Sequence, residues 1–292
     1  VHMLPEELSA NLCSLRPNED RLAVSAIMKL DKDFNVNESE ILPTVINSKA
    51  RFTYQDVQDV VEGKSHHPSK KAIHLLKRLA KQLFKDRSDA GSIDFDIPKP
   101  IFEMGEKGIP HEIRPSERME SHRIVEECML LANKVVAAEI PKLLPKKYPF
   151  VYRVHSKPDK LKVDRFIDLL KLLHLNIPIP QGELSPNDIK NVLKHVEESP
   201  FRSLIETVAL RTMSKAEYGM KNSGHFGLAF DHYTHFTSPI RRYPDLMVHR
   251  MIKMVHHQSF EPKGGWHEIM AKAVACSNQA ELQALNAEPV SY

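Results

Sequence analysis

The sequence predicts an α+β fold, an antiparallel sheet or partial barrel surrounded by helices. Two patterns carry that expectation. Leu22, Val24, Ala26 and Met28 alternate with polar or small neighbours, the period of a half-buried strand, and a second strand-like run spans 34–46 after a polar turn. Apolar residues then recur at helical spacing over two long stretches, Ile73, Leu76, Leu79, Ala80 and Leu83 within 68–87, and Ile124, Cys128, Leu131 and Val135 within 116–140. The two strands are expected to pair antiparallel.

Between the strands and the long helices, residues 54–62 read as a short helix opened by Tyr54, with Val57, Val60 and Val61 on one side. The helix over 68–87 carries Leu75 in its apolar stripe as well, and Lys70, Lys71, Lys77, Arg78, Lys81 and Lys85 on the remaining faces. Such a basic face is ordinarily solvated, and that reading is favoured over a contact with phosphates. Residues 92–96 alternate, placing Asp94 and Asp96 on one side of a strand and Ile93 and Phe95 on the other. Ser116 is a candidate cap for the second long helix. Further along, 150–155 is strand-like, 163–175 helical, 176–182 a loop, and 186–214 two helices separated by Pro200. A final helix starts near His267 and ends at 286–288.

The chain has 292 residues, enough for one large core or two small ones, with 41% hydrophobic and 27% charged residues. A formal net charge of +3 argues only weakly for a polyanionic partner, so any basic surface must be local. Cys13, Cys128 and Cys276 are too scattered for a disulfide framework or a zinc site, which suits a reducing cytoplasm. No apolar stretch is long enough to span a membrane. Both ends read as cuts through a larger protein.

The densest polar chemistry lies in 224–250, GHFGLAFDHYTHFTSPIRRYPDLMVHR. Gly224 and Gly227 permit close backbone approach. Thr237-Ser238-Pro239 suits a helix start with Pro239 in the first turn, which would put Arg241 and Arg242 where the helix dipole disfavours cations. Two readings stay open: an anion site in which the guanidiniums grip phosphate, or a structural ion pair with Asp245 as the i+4 partner of Arg241. His232 and His235 stand at i, i+3 but lack convincing further ligands for zinc, and no metal ligand is assigned in this chain.

This run resembles the RNB (ribonuclease II/ribonuclease R) family of exoribonucleases. MLPEELSANLCSLRPNEDRLAVSA, INSKARFTYQDV, RIVEECMLLANKVVA and CSNQAELQALNAE match it in the same order, so the likeness covers nearly the whole chain. The resemblance implies a partial catalytic domain over 1–292 whose helices line an RNA channel. In the family the metal-binding aspartates form a D-x5-D-x-D-D cluster upstream of the MLPEELS-like segment, flanked further out by OB-fold RNA-binding domains. Those parts are expected outside this chain, which is therefore expected to be inactive alone.

The implied activity is magnesium-dependent 3′→5′ hydrolysis of RNA, acting on the 3′ end of a single strand, in a cytoplasmic, monomeric protein without membrane attachment. The alternative is a single-stranded RNA-binding module without catalysis. Arg241 takes the family's catalytic arginine position. Tyr54 and Phe95 match aromatics that stack on bases, and Glu126 matches a glutamate that contacts the RNA end. Ser238, Arg242 and Tyr243 would orient the arginine or touch the next phosphate. Glu288 aligns with a family glutamate, although Pro289 follows it where the family has arginine.

Overall fold

The computed structural model describes residues 2–94, 100–105, 110–146, 148–175, 184–260 and 265–287. A π-helical turn, Glu7–Leu12, precedes the first hairpin. Strands β1 (Asp20–Leu30) and β2 (Val36–Asn47) pair antiparallel, as the alternation predicts, with Ala26 opposite Ile41 and a register shift between Lys29 and Leu30. Asp31 ties their turn: its carboxylate accepts from the backbone of Asp33 and Asn35 and from the Asn35 amide, and Phe34 takes φ 66°. Val24, Ala26 and Ile41 pack on the core, whereas Leu22 and its cross-strand partner Val45 extend past it and stay exposed.

The remaining sheet content is two more antiparallel ladders, β3 (Pro100–Met104) with β4 (Pro110–Pro115) and β5 (Tyr152–Val154) with β6 (Glu217–Gly219). The described strands form no closed barrel. Residues 92–94 form no strand; Ile93 N–H instead makes a single 3.0 Å bond to the Gly227 carbonyl.

Helix α1 (Tyr54–Val61) opens with a capping box: Thr53 Oγ1 accepts from Asp56 N–H at 3.1 Å and Asp56 Oδ2 accepts from Thr53 N–H at 2.7 Å. That cap fixes Tyr54 as the first helical residue. Helix α2 (Lys70–Asp89) buries Ile73, Leu79 and Ala80, while Leu75 and Leu76, expected in the apolar stripe, are exposed. Helix α3 (Glu120–Leu143) starts four residues after Ser116, without that residue as its cap. Helices α4 (Lys160–Leu172), α5 (Pro186–His195) and α6 (Arg202–Thr212) follow; Asp159 caps α4 and Ser185 caps α5. The chain ends in α7 (Tyr243–His257) and α8 (Gly265–Ala287).

Three apolar clusters hold these elements. Val136 and Ile140 of α3 join Phe150, Val151, Tyr218 and Met247, Val248, Met251 and Ile252 of α7. Phe166, Leu170, Ile189, Val192 and Ile205 unite α4, α5 and α6, and Ile93 and Met213 attach to them. Val60, Ile73, Ala80 and Ile124 join α1, α2 and α3. Each fully buried side chain of this size contributes about 1.5–3 kcal/mol relative to exposure. Among the described residues, no helix is long and apolar enough to cross a membrane.

Candidate nucleic-acid interface

The glycines of the 224–236 loop are required by contact. His155 N–H bonds the Gly224 carbonyl at 3.0 Å, and Gly224 has φ +75°, favourable only without a Cβ. His155 Nδ1 accepts from Gly227 N–H at 3.0 Å, so Nε2 carries the proton it shares with the Ser214 carbonyl at 2.7 Å. A Cβ on Gly227 would stand 2.9 Å from that Nδ1. The two hydrogen bonds leave the ring no room to retreat.

Burial keeps this loop's enclosed imidazoles neutral. His225, whose Nδ1 accepts from Leu228 N–H at 3.2 Å, is pushed down to about 3 by burial and by the neighbouring His155 and Arg153. His235 is pushed down to about 2 by burial, then by Arg242 and Arg153. Its Nδ1 shares a 2.8 Å hydrogen bond with the Tyr218 hydroxyl, which burial raises to about 12 and so keeps protonated. His232 is exposed, in a different environment from its i+3 neighbour. The buried imidazoles therefore add no positive charge to this region, whose nearby cations include Arg153, Arg242 and Lys134 over the Phe230 ring at 5.1 Å.

From α3, Asn133 clamps the loop at two points. Its Nδ2 donates to the Tyr233 hydroxyl at 3.2 Å, and its Oδ1 accepts from Phe236 N–H at 3.0 Å. Thr234 donates to the Val151 carbonyl at 2.6 Å, and Arg153 N–H bonds the Tyr233 carbonyl at 2.9 Å. The segment is thus pinned to a helix and to β5 before it reaches the arginines.

The helix start differs from the sequence expectation. Residues 238–241 make a turn in which Arg241 and Arg242 N–H both approach the Ser238 carbonyl, at 3.3 and 3.1 Å, and α7 begins at Tyr243 with Pro244 in its first turn. Fully buried Asp245 supplies one oxygen, Oδ1, to both Ser238 N–H and Arg242 Nη2, each at 2.8 Å. The structural ion pair exists, but with Arg242 at i+3 rather than Arg241 at i+4. Arg241 is exposed, and its guanidinium makes no hydrogen bond or ion pair among the described residues. Tyr243, also exposed, stands beside it in sequence.

The other end of α3 carries a second polar group. Arg118 bridges Asp94, with Nη1 at 2.8 Å, and Glu126, with Nη2 at 2.7 Å. Buried Arg87 holds Glu127 at 2.6 Å; burial pushes that carboxyl up while the guanidinium pulls it back. Tyr54 presents an exposed ring whose inner face meets His122 of α3, with centroids 4.2 Å apart. The Ile93–Gly227 bond joins this group to the glycine loop.

Magnesium takes carboxylate and water oxygens. Asp94, Glu126 and Glu127 are each already matched to a guanidinium, so these acids do not constitute a magnesium site as they stand, and no step is routed through one. A different trio, Glu103, His111 and Glu112 on the β3–β4 hairpin, brings ligand atoms within 4.8 Å of one another, but Glu103 also pairs with Arg114 at 2.7 Å.

Thus Ser238, Arg241, Arg242 and Tyr243 sit on one turn, with Tyr54 and Glu126 on the α1–α3 side. Phe95, Asp96 and Glu288 lie outside the described residues. Arg118, His122, Asn133 and His155 were not singled out for function by the sequence reading. Asn133 did leave a signal, an amide in an otherwise apolar helix stripe.

A family model described as RNB domain matches residues 1–258. The chain belongs to the RNB family. Its similarity to "Ribonuclease R" of Aquifex aeolicus is 41% identity over 258 residues, covering 87% of this chain and 36% of the relative. To "Ribonuclease R" of Escherichia coli it is 33% over 293 residues, 97% of this chain and 36% of the relative. The chain thus spans about a third of the curated relatives' length. Mycoplasma genitalium RNase R, solved in complex with ribose-methylated single-stranded RNA, superposes with TM-score 0.89 at 29% identity, covering 99% of this chain and 46% of that one. The yeast pseudonuclease Ssd1 shares the fold, with TM-score 0.72 at 18% identity over 97% of this chain and 35% of that one.

Proposed function

We propose that this chain is part of the catalytic domain of a 3′→5′ exoribonuclease that hydrolyses phosphodiester bonds from the 3′ end of single-stranded RNA. The single observation carrying this reading is the division of labour on the 238–245 turn. Arg242 is held by Asp245, and the adjacent Arg241 is left exposed with its guanidinium unpaired among the described residues. A guanidinium carried on an anchored turn and left unspent can neutralise charge building on a phosphate in the transition state. Tyr54, and by family likeness Phe95, would stack on bases, while Glu126 and Glu288 would contact the RNA end. Ser238 and Tyr243 would shape the turn around the phosphate.

Magnesium belongs to the proposal with its ligands mostly outside this chain, and when bound it would activate water. The chain alone would then be inactive. The proposal extends to a monomeric, cytoplasmic enzyme.

The test is 3′-end degradation of labelled RNA by the complete protein with magnesium, comparing wild type with Arg241→Ala. Unchanged turnover in the variant overturns the role. A second reading, a single-stranded RNA-binding module without catalysis, rests on the exposed Tyr54 ring and the exposed Arg241, which would serve base stacking and phosphate contact without chemistry. It predicts that the complete protein with magnesium binds labelled RNA and releases no nucleotides.

A further inference from the structure

The geometry points to a second phosphate-binding surface on α2, which would hold the backbone of the single strand whose base lies at Tyr54. This deepens the reading above and rests on it. From Lys64 to Lys85 the chain has seven Lys or Arg, three His and no Asp or Glu, although the net charge of all 292 residues is only +3. The structure gathers part of this run around a cavity of about 890 Å³. His67, Lys70, Lys71, His74 and Arg78 line it, with Pro68 and Leu75, and no carboxylate does.

These cations are not consumed by the fold. Lys64 pairs with Glu62 at 2.5 Å and Lys77 with Glu120 at 2.6 Å, but Lys70, Lys71, Lys81 and Lys85 make no ion pair among the described residues. Arg78 lies over the Phe34 ring, 5.7 Å from its centroid, which positions the guanidinium without neutralising it. Exposed Leu75 adds an apolar wall, so the cavity offers cations for phosphate and a dry surface for ribose or base.

Its position ties it to the other site. The His67 ring meets the Phe52 ring at 4.6 Å, and Phe52 is two residues from Tyr54. The cavity's edge thus abuts the segment that leads into α1, and the proposed strand would run from Tyr54 across this contact onto α2. The sequence-based preference for a merely solvated face is replaced by this one because the cations converge on a carboxylate-free cavity.

The experiment measures affinity of this chain for a long single-stranded oligoribonucleotide by fluorescence anisotropy across a salt series. The variants are the triple Lys70→Ala, Lys71→Ala, Arg78→Ala and a charge-retaining Arg78→Lys. With about 0.7 counterions released per single-strand phosphate, loss of three contacts should reduce the slope of log affinity against log salt by about 2. Arg78→Lys should retain the wild-type slope, and circular dichroism melting should show the triple variant folded. A folded triple variant with wild-type affinity and slope overturns the α2 contact alone. A wild-type chain that binds no single-stranded RNA overturns both this proposal and the reading beneath it.

Discussion

Asp245 holds Arg242, not Arg241: one buried carboxylate oxygen sits 2.8 Å from Arg242 Nη2 and 2.8 Å from Ser238 N–H. The pair therefore fixes the turn while leaving the preceding guanidinium unspent.

In the complete protein, Arg241→Ala should lower turnover by about 10²- to 10³-fold, the usual effect of removing a transition-state donor. RNA affinity and melting temperature should stay close to wild type, because Arg241 supports no contact in the fold. Single-turnover degradation beside equilibrium binding separates the two effects.

Asp245→Ala should act differently. It strands the Arg242 guanidinium and the Ser238 amide together, each losing a charge-assisted bond of about 1.5–3 kcal/mol. Urea unfolding should show the loss directly. Turnover should fall as well, since the turn presenting Arg241 loses its anchor, and Asp245→Asn should recover part of the stability.

Gly227→Ala places a methyl 2.9 Å from His155 Nδ1, a ring fixed at both nitrogens. Overpacking of this kind costs about 1–3 kcal/mol. The expected readout is a lower urea midpoint, whereas Gly63→Ala, where no atom lies within 4 Å of the added carbon, should cost only its strain at φ +78°.

Stability should fall in acid through the buried imidazoles. The histidine value of 6.5 drops to about 3 at His225 and about 2 at His235 in the folded chain. Between those limits the unfolded chain binds more protons, so stability is fully present above about pH 6.5 and declines as pH falls toward 3 and then 2. His225→Gln should flatten part of the decline of the urea midpoint between pH 7 and 4; an equally steep decline would remove His225 as a contributor.

The regular elements were legible where periodicity was long and solvent lay on one side. The two N-terminal strands, α2, α3 and the helices around Pro200 fell where alternation and 3.6-residue spacing put them. The start of α7 did not, because Pro239 and Pro244 both suit a first helical turn, and the bond from Ser238 N–H to the Asp245 carboxylate seven residues on, which goes with the later start, is not visible in the spacing. That single shift moved the ion pair from Arg241 to Arg242. Leu75 read as core because it lies near the apolar stripe, yet α2 turns it outward to wall the basic cavity. Arg118 and His122 were opaque for another reason: their partners, Asp94 and Tyr54, are distant in sequence and joined only by packing of α1, α2 and α3.

Helix α3 carries Glu126 two turns before Asn133, with Tyr54 resting on His122 in its first turn and the glycine loop hanging from Asn133 near its middle. The eleven steps from His122 to Asn133 rise about 16 Å, and Pro141 lies beyond them in the last turn. Three turns of one helix thus separate the base-stacking ring from the loop that leads to Arg241, so one residue inserted between His122 and Asn133 would rotate the two attachments about 100° out of phase.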